Sequence, residues 1–156
     1  RHFANVFASE YWFDAYDLPY PKRVITDTGK TQYLFRINKG REDTLQNINE
    51  YMAEAARPIP FQHMLYVGDG MTDVPCMTVV KNYGGFALAV HKPRSREAQK
   101  VCRELVEANR IDFYAPANYA AGEILERRVH TILDLIIARI FFEQERHDFL
   151  HDMRKP

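Results

Sequence analysis

Apolar and polar positions change their rhythm several times along the chain, and each change predicts an element. "FANVFAS" (3–9) reads as a strand. "EYWFD" (10–14) and "KRVIT" (22–26) are rich in β-formers and flank the proline-containing "AYDLPYP", which predicts a hairpin. Asp27 or Thr28 can cap a helix that starts near Gly29, runs through "KTQYLFRINKG" and stops at Gly40. Leu45, Ile48, Met52 and Ala55 or Ala56 then recur at helical spacing until "RPIP" (57–60) breaks the pattern.

The second part of the chain reads more regularly. "MLYV" (64–67) is a short apolar strand. Val74, Met77 and Val80 mark a helix, with Pro75 tolerated in its first turn and Asn82, Gly84 and Gly85 at its end. "FALAV" (86–90) is nearly continuous in apolar residues, as a strand buried on both faces is. Ser95 caps a helix carrying Ala98, Val101, Cys102, Leu105 and Val106, and "IDFYA" (111–115) reads as a further strand. A long C-terminal helix is expected within 118–156, with Leu125, Val129, Ile132, Leu133, Ile136, Ile137 and Ile140 on its apolar stripe. Strands alternate with helices from residue 24 onward, which predicts an α/β domain with a mostly parallel sheet. No internal repeat, low-complexity segment or linker interrupts residues 1–156, so they read as one domain.

Composition adjusts this picture only in places. With 46% apolar residues the chain can bury a core. Lysine plus arginine and aspartate plus glutamate number 21 each, so no nucleic-acid partner is expected. Cys76 and Cys102 form no CxxC pair and suit a reducing, cytoplasmic setting. The most apolar run, "ILDLIIARIFF" (132–142), is interrupted by Asp134 and Arg139, so no membrane partner is expected. That stripe reads as core packing and can also serve to pair copies of the chain as a homo-oligomer.

Candidate chemistry concentrates in "MLYVGDGMTD" (64–73). A strand ends in a Gly-Asp-Gly turn, and Asp69 and Asp73 follow four residues apart. Ligands of open α/β sheets bind outside the carboxyl ends of strands, where Asp69 lies. Two carboxylates at one point call for a divalent cation or a lysine between them. The bland alternative is a turn followed by an N-cap.

"YVGDGMTD" resembles the fourth motif of the haloacid dehalogenase superfamily, and "GGFALAVHKP" is similar to the following strand in its phosphoserine-phosphatase-like branch. "DTGKTQYLFRINKG" resembles the third motif, a lysine opening a helix. The resemblance implies a Rossmann-like three-layer sandwich. It implies a Mg²⁺-dependent phosphatase that acts on a phosphorylated small molecule through an aspartyl-phosphate. On that reading Asp69 holds the metal, Asp73 shares in holding it or orients the lysine, and Lys30 offsets developing charge. Lys39 is the rival lysine, at the far end of the same helix, where a cation suits the helix dipole in any case. "TGKT" also imitates a P-loop ending, but Val24 stands where that motif needs a glycine.

The family's nucleophile lies in Asp-x-Asp after a first strand, and these 156 residues contain no Asp-x-Asp. Asp14 and Asp17 are spaced wrongly, and Asp27 is too close to Lys30. Ser9 is a tempting second motif, but "FANVFAS" resembles the segment that comes after that motif in the family. The first two motifs, and any cap, are therefore expected upstream of Arg1, leaving the N-terminal part of the fold missing and this chain inactive by itself. The contrasting expectation is a non-catalytic binding or interaction module of the same fold.

Three lesser features have plain readings beside sharper ones. "HDFLH" sets His147 and His151 one turn apart, with Glu143 a turn earlier, yet Asp148 replaces the glutamate of a helical zinc motif; a solvated tail helix is expected. The aromatic cluster of residues 10–21 reads first as hairpin packing. His91 and Lys92 follow a strand end and can border a pocket.

Overall fold

The computed structural model describes residues 3–155. The chain divides between Ile59 and Pro60 into two compact units.

The first unit opens with an irregular stretch. "FANVFAS" forms no strand, because no described strand pairs with it; Ser9 instead uses its hydroxyl oxygen to accept the Ile25 N–H at 3.1 Å. The hairpin is present as β1 (Glu10–Phe13) and β2 (Pro19–Arg23), antiparallel. Its second strand lies three residues earlier than expected. The cause is Asp14, whose Oδ1 accepts the N–H groups of Tyr16 (2.8 Å) and Leu18 (3.0 Å) and so closes the turn early. Pro19 and Pro21 are tolerated because the ribbon has only two strands.

Helix α1 spans Asp27–Lys39. Its cap is Thr26 rather than Asp27 or Thr28: the Thr26 hydroxyl accepts from Gly29 N–H at 3.2 Å. Gly40 ends it as expected, with φ 62°; a Cβ there would also sit 2.8 Å from Pro58 Cγ.

The expected helix over residues 45–56 does not form; a single 3-10 turn, Glu54–Ala56, is its only helical part. Cationic side chains take up the backbone carbonyls instead. Arg36 donates to the carbonyls of Arg41, Asp43, Thr44 and Gln46 at 2.7–3.3 Å. Lys39 donates to those of Ile48 and Glu50 at 2.6 and 2.8 Å, and Arg41 to that of Asn47. Arg57 reaches the Met52 carbonyl and Asn38 Oδ1. Acceptors satisfied in this way have no need of a helical ladder.

The second unit holds a three-stranded parallel sheet in the order β3 (Leu65–Gly68), β4 (Phe86–His91), β5 (Phe113–Pro116). Helix α2 (Val74–Asn82) joins β3 to β4, and α3 (Arg96–Glu107) joins β4 to β5. Ala87 and Ala89 of β4 pack with Val74, Met77, Cys102 and Leu105 of those two helices. Leu88 and Val90 pack oppositely, with Leu125, Ile132 and Ile136 of α4 (Ile124–Asp152). The strand is thus covered on both faces, as its continuous apolar run predicts.

Helix α4 begins six residues after position 118. Residues 118–123 turn first, through an Asn118 side chain accepting Ala120 N–H and a left-handed Gly122 (φ 81°). The charges that interrupt its apolar run are structural. Arg139 donates to the carbonyls of Gln62 (3.1 Å) and Gly84 (2.9 Å), and its guanidinium lies over the Phe86 ring. Glu143 accepts from Gln62 at 2.8 Å and pairs with His63 at 3.1 Å. Among the described residues, no helix is long and apolar enough to cross a membrane.

Candidate functional site

The Gly-Asp-Gly turn leaves the carboxyl end of β3 and enters a 3-10 turn, Met71–Asp73, that leads directly into α2. Asp73 organises it. This side chain is 4% exposed. Its Oδ2 accepts from the backbone N–H of Asp69 at 3.0 Å and of Gly70 at 3.4 Å, and its Oδ1 accepts from the Tyr66 hydroxyl at 2.7 Å. Burial, reinforced by that hydrogen bond, pushes the Tyr66 hydroxyl above its ordinary pKa, so it stays a donor. Gly68 is required by contact: a Cβ at that position would lie 2.6 Å from Asp73 Cβ and 2.8 Å from its Cγ. Gly70 is not: its φ is −150° and nothing approaches within 4 Å of where its Cβ would be.

These bonds give the two aspartates different situations. Asp73 holds the turn from inside, and contacting a metal would mean exchanging the hydrogen bonds on its oxygens. Asp69 stands exposed at the end of β3, where a carboxylate can be offered to a ligand. Among the described residues, no three histidine, cysteine, aspartate or glutamate side chains converge as a metal cage. Mg²⁺ is ordinarily held by one or two carboxylates with water and substrate oxygens completing the shell, and Asp69 fits the first of those parts.

A cleft of about 300 Å³ opens beside Asp69 and extends between α2 and α3; Met71, Met77, His91, Ser95 and Val101 are among the residues that line it. His91, 4% exposed, therefore does border a pocket. Ser95 both caps α3, accepting from Ala98 N–H at 3.3 Å, and lines the cleft. Glu97 lines it as well. Sequence reasoning missed both as lining residues, although helix positions just after a β-strand end are where such residues are found.

The lysines belong to the first unit and the aspartates to the second. Lys30 is half-buried in the first turn of α1, its N–H on the Thr26 carbonyl at 3.0 Å. Lys39 is engaged with the carbonyls of Ile48 and Glu50. "TGKT" sits at the start of α1, with only four residues between it and an antiparallel hairpin strand, so no phosphate-cradling loop precedes it. His147 and His151 are exposed beside Asp148 and Asp152, and Glu143 is turned to Gln62 and His63. On the hairpin, Trp12 stacks on Tyr20 with ring centroids 4.9 Å apart.

No protein-family model matches the chain. A stretch of 101 residues is 34% identical to an uncharacterized protein of Borreliella burgdorferi, covering 63% of this chain and 33% of that protein. The chain thus spans about one third of the length of the curated relative it matches. No solved structure matches it.

Proposed function

We propose that this chain is the lysine- and metal-holding part of a phosphatase of the haloacid dehalogenase kind, acting on a phosphorylated small molecule. One observation carries the reading: Asp69 is exposed at the carboxyl end of a parallel strand, on a turn clamped from beneath by Asp73. A clamped turn fixes the carboxylate before any cation arrives, which is what a metal ligand needs. Mg²⁺ bound there would neutralise phosphoryl oxygens. Asp69 would be its protein ligand and Asp73 would hold the turn that carries Asp69; the resemblance gives Lys30 the role of offsetting developing charge. Lys30 is the candidate on this reading because it opens helix α1, as the lysine of the resembled motif does.

Titration of the ¹⁵N-labelled chain with Mn²⁺, standing in for Mg²⁺, tests this. Broadening centred on the amides of Asp69 and Gly70, and lost in Asp69→Asn, is expected. Broadening elsewhere, or its survival in Asp69→Asn, removes Asp69 from the metal site. In a longer protein that supplies an Asp-x-Asp strand, Asp69→Asn should lower Mg²⁺-dependent phosphatase activity by about 100-fold or more, the scale of losing an essential electrostatic group.

A second reading, a non-catalytic module of the same fold, is favoured by the absence of Asp-x-Asp from these residues. Hydrolysis of p-nitrophenyl phosphate by the 156-residue chain at ordinary enzyme rates would sink both readings as stated.

A further inference from the structure

His91 ends β4, and strand alternation sets its side chain with Ala87 and Ala89 on the face covered by α2 and α3. Its Nδ1 lies 3.0 Å from the Lys92 carbonyl. A carbonyl only accepts, so Nδ1 carries the proton, and the uncharged form of that tautomer has a lone pair on Nε2. That Nε2 is buried and has no hydrogen-bond partner among the described residues. Native structures seldom leave a buried polar atom in this state unless something else fills the position.

His91 lines the cleft beside Asp69 and also a second cavity towards β5 and α4, where Arg128 stands; the cleft on the α2 and α3 side, to which strand alternation turns its side chain, says what would fill the position. Asp69 and Glu97 bring acidic groups, Ser95 brings a hydroxyl, and Met77 and Val101 provide apolar wall. No lysine or arginine is among its described lining residues. We propose that this cleft binds a short aliphatic primary ammonium group, which donates to His91 Nε2. Asp69 and Glu97 balance its charge, and its alkyl part lies along Met77 and Val101. An anion would meet two like charges and a lone pair. An alcohol would satisfy Nε2 but leave the acidic groups uncompensated. The assignment stands on the lining of the cleft, and because it shares Asp69 with the proposed metal site, Mg²⁺ and the ammonium group would compete there.

The test uses the full chain with ¹⁵N-labelled histidine at about pH 8, where imidazole is mostly neutral and a primary amine is charged. The probe is n-propylammonium chloride, with 1-propanol and inorganic phosphate titrated in parallel. A saturable shift of the His91 Nε2 resonance is expected, with affinity about tenfold or more above that of 1-propanol, the scale of one charge-assisted hydrogen bond. His91→Phe should weaken propylammonium binding by about tenfold, read calorimetrically. Should that variant fail to fold, Glu97→Gln on the exposed start of α3 is expected to weaken binding about threefold or more. The proposal is overturned if no saturable shift appears, if 1-propanol or phosphate binds as tightly, or if affinity is unchanged in His91→Phe or, where that variant does not fold, in Glu97→Gln.

Discussion

Gly68 and Asp73 define each other. The aspartate reaches back under the strand end because no side chain occupies position 68, and an added methyl would lie 2.6–2.8 Å from its atoms. Gly68→Ala should therefore cost about 1–3 kcal/mol, as overpacking a filled site does, while Gly70→Ala should stay within about 0.5 kcal/mol. Urea denaturation of both variants checks this, and equal effects would refute the contact argument. Tyr66 adds a pH dependence. Its folded-state pKa is raised above the ordinary 10.0 by burial and by its bond to Asp73. The stabilisation is fully present below the ordinary value and is lost as pH rises beyond it toward the folded value, because the unfolded chain ionises first. Stability of the native chain should fall above about pH 10, and Tyr66→Phe should flatten that fall while lowering neutral-pH stability by about 1–2 kcal/mol. The spacing of Asp69 and Asp73 was legible in the sequence, and the structure does bring both to one turn. What spacing cannot express is that one carboxylate would be spent on backbone N–H groups and a tyrosine seven residues earlier.

At the scale of elements, periodicity was a good guide wherever a core existed to receive the apolar face. The β3-α2-β4-α3-β5 run follows its hydrophobic pattern to within two residues, and Ser95 caps α3 as predicted. Residues 45–56 show the converse. Leu45 is 91% exposed and Ile48 and Met52 are only half-buried, so the stripe has no core to receive it. A long-range arrangement decides this segment: Arg36, Lys39 and Arg41 point side-chain donors at carbonyls five to eleven residues on. Arg36 is 4% exposed and serves four of these carbonyls. Arg36→Met keeps the aliphatic stem but removes every one of those donors. Residues 41–47 should then become a preferred protease site, with cleavage about tenfold faster or more if local opening loses even one charged hydrogen bond's worth of free energy. Unchanged cleavage would mean that other contacts hold the loop.

The two units differ in what they bury, and that difference bears on how the whole molecule unfolds. Among residues 3–59 the only buried side chains are Arg36 and Asn38, both polar. From residue 60 onward the core contains Met77, Val80, Leu88, Ile111, Ile132 and others, gathered on both faces of the sheet. Burial of apolar surface is the main term favouring the folded state, so the first unit rests mostly on hydrogen bonds of modest net worth. Composition could not reveal this, since an apolar fraction of 46% describes the whole chain and says nothing of how the core is shared. The chain offers a clean probe, because its one tryptophan, Trp12, lies in the hairpin of the first unit. Trp12 fluorescence should report an unfolding midpoint about 1 M urea or more below that read from the amides of Leu88 and Ala89 in β4, given slopes of about 1–3 kcal/mol per molar. Two separate transitions are what unequal cores predict, whereas coincident curves would show that the chain melts as one cooperative body and that the hydrogen bonds of the first unit carry more than their usual share.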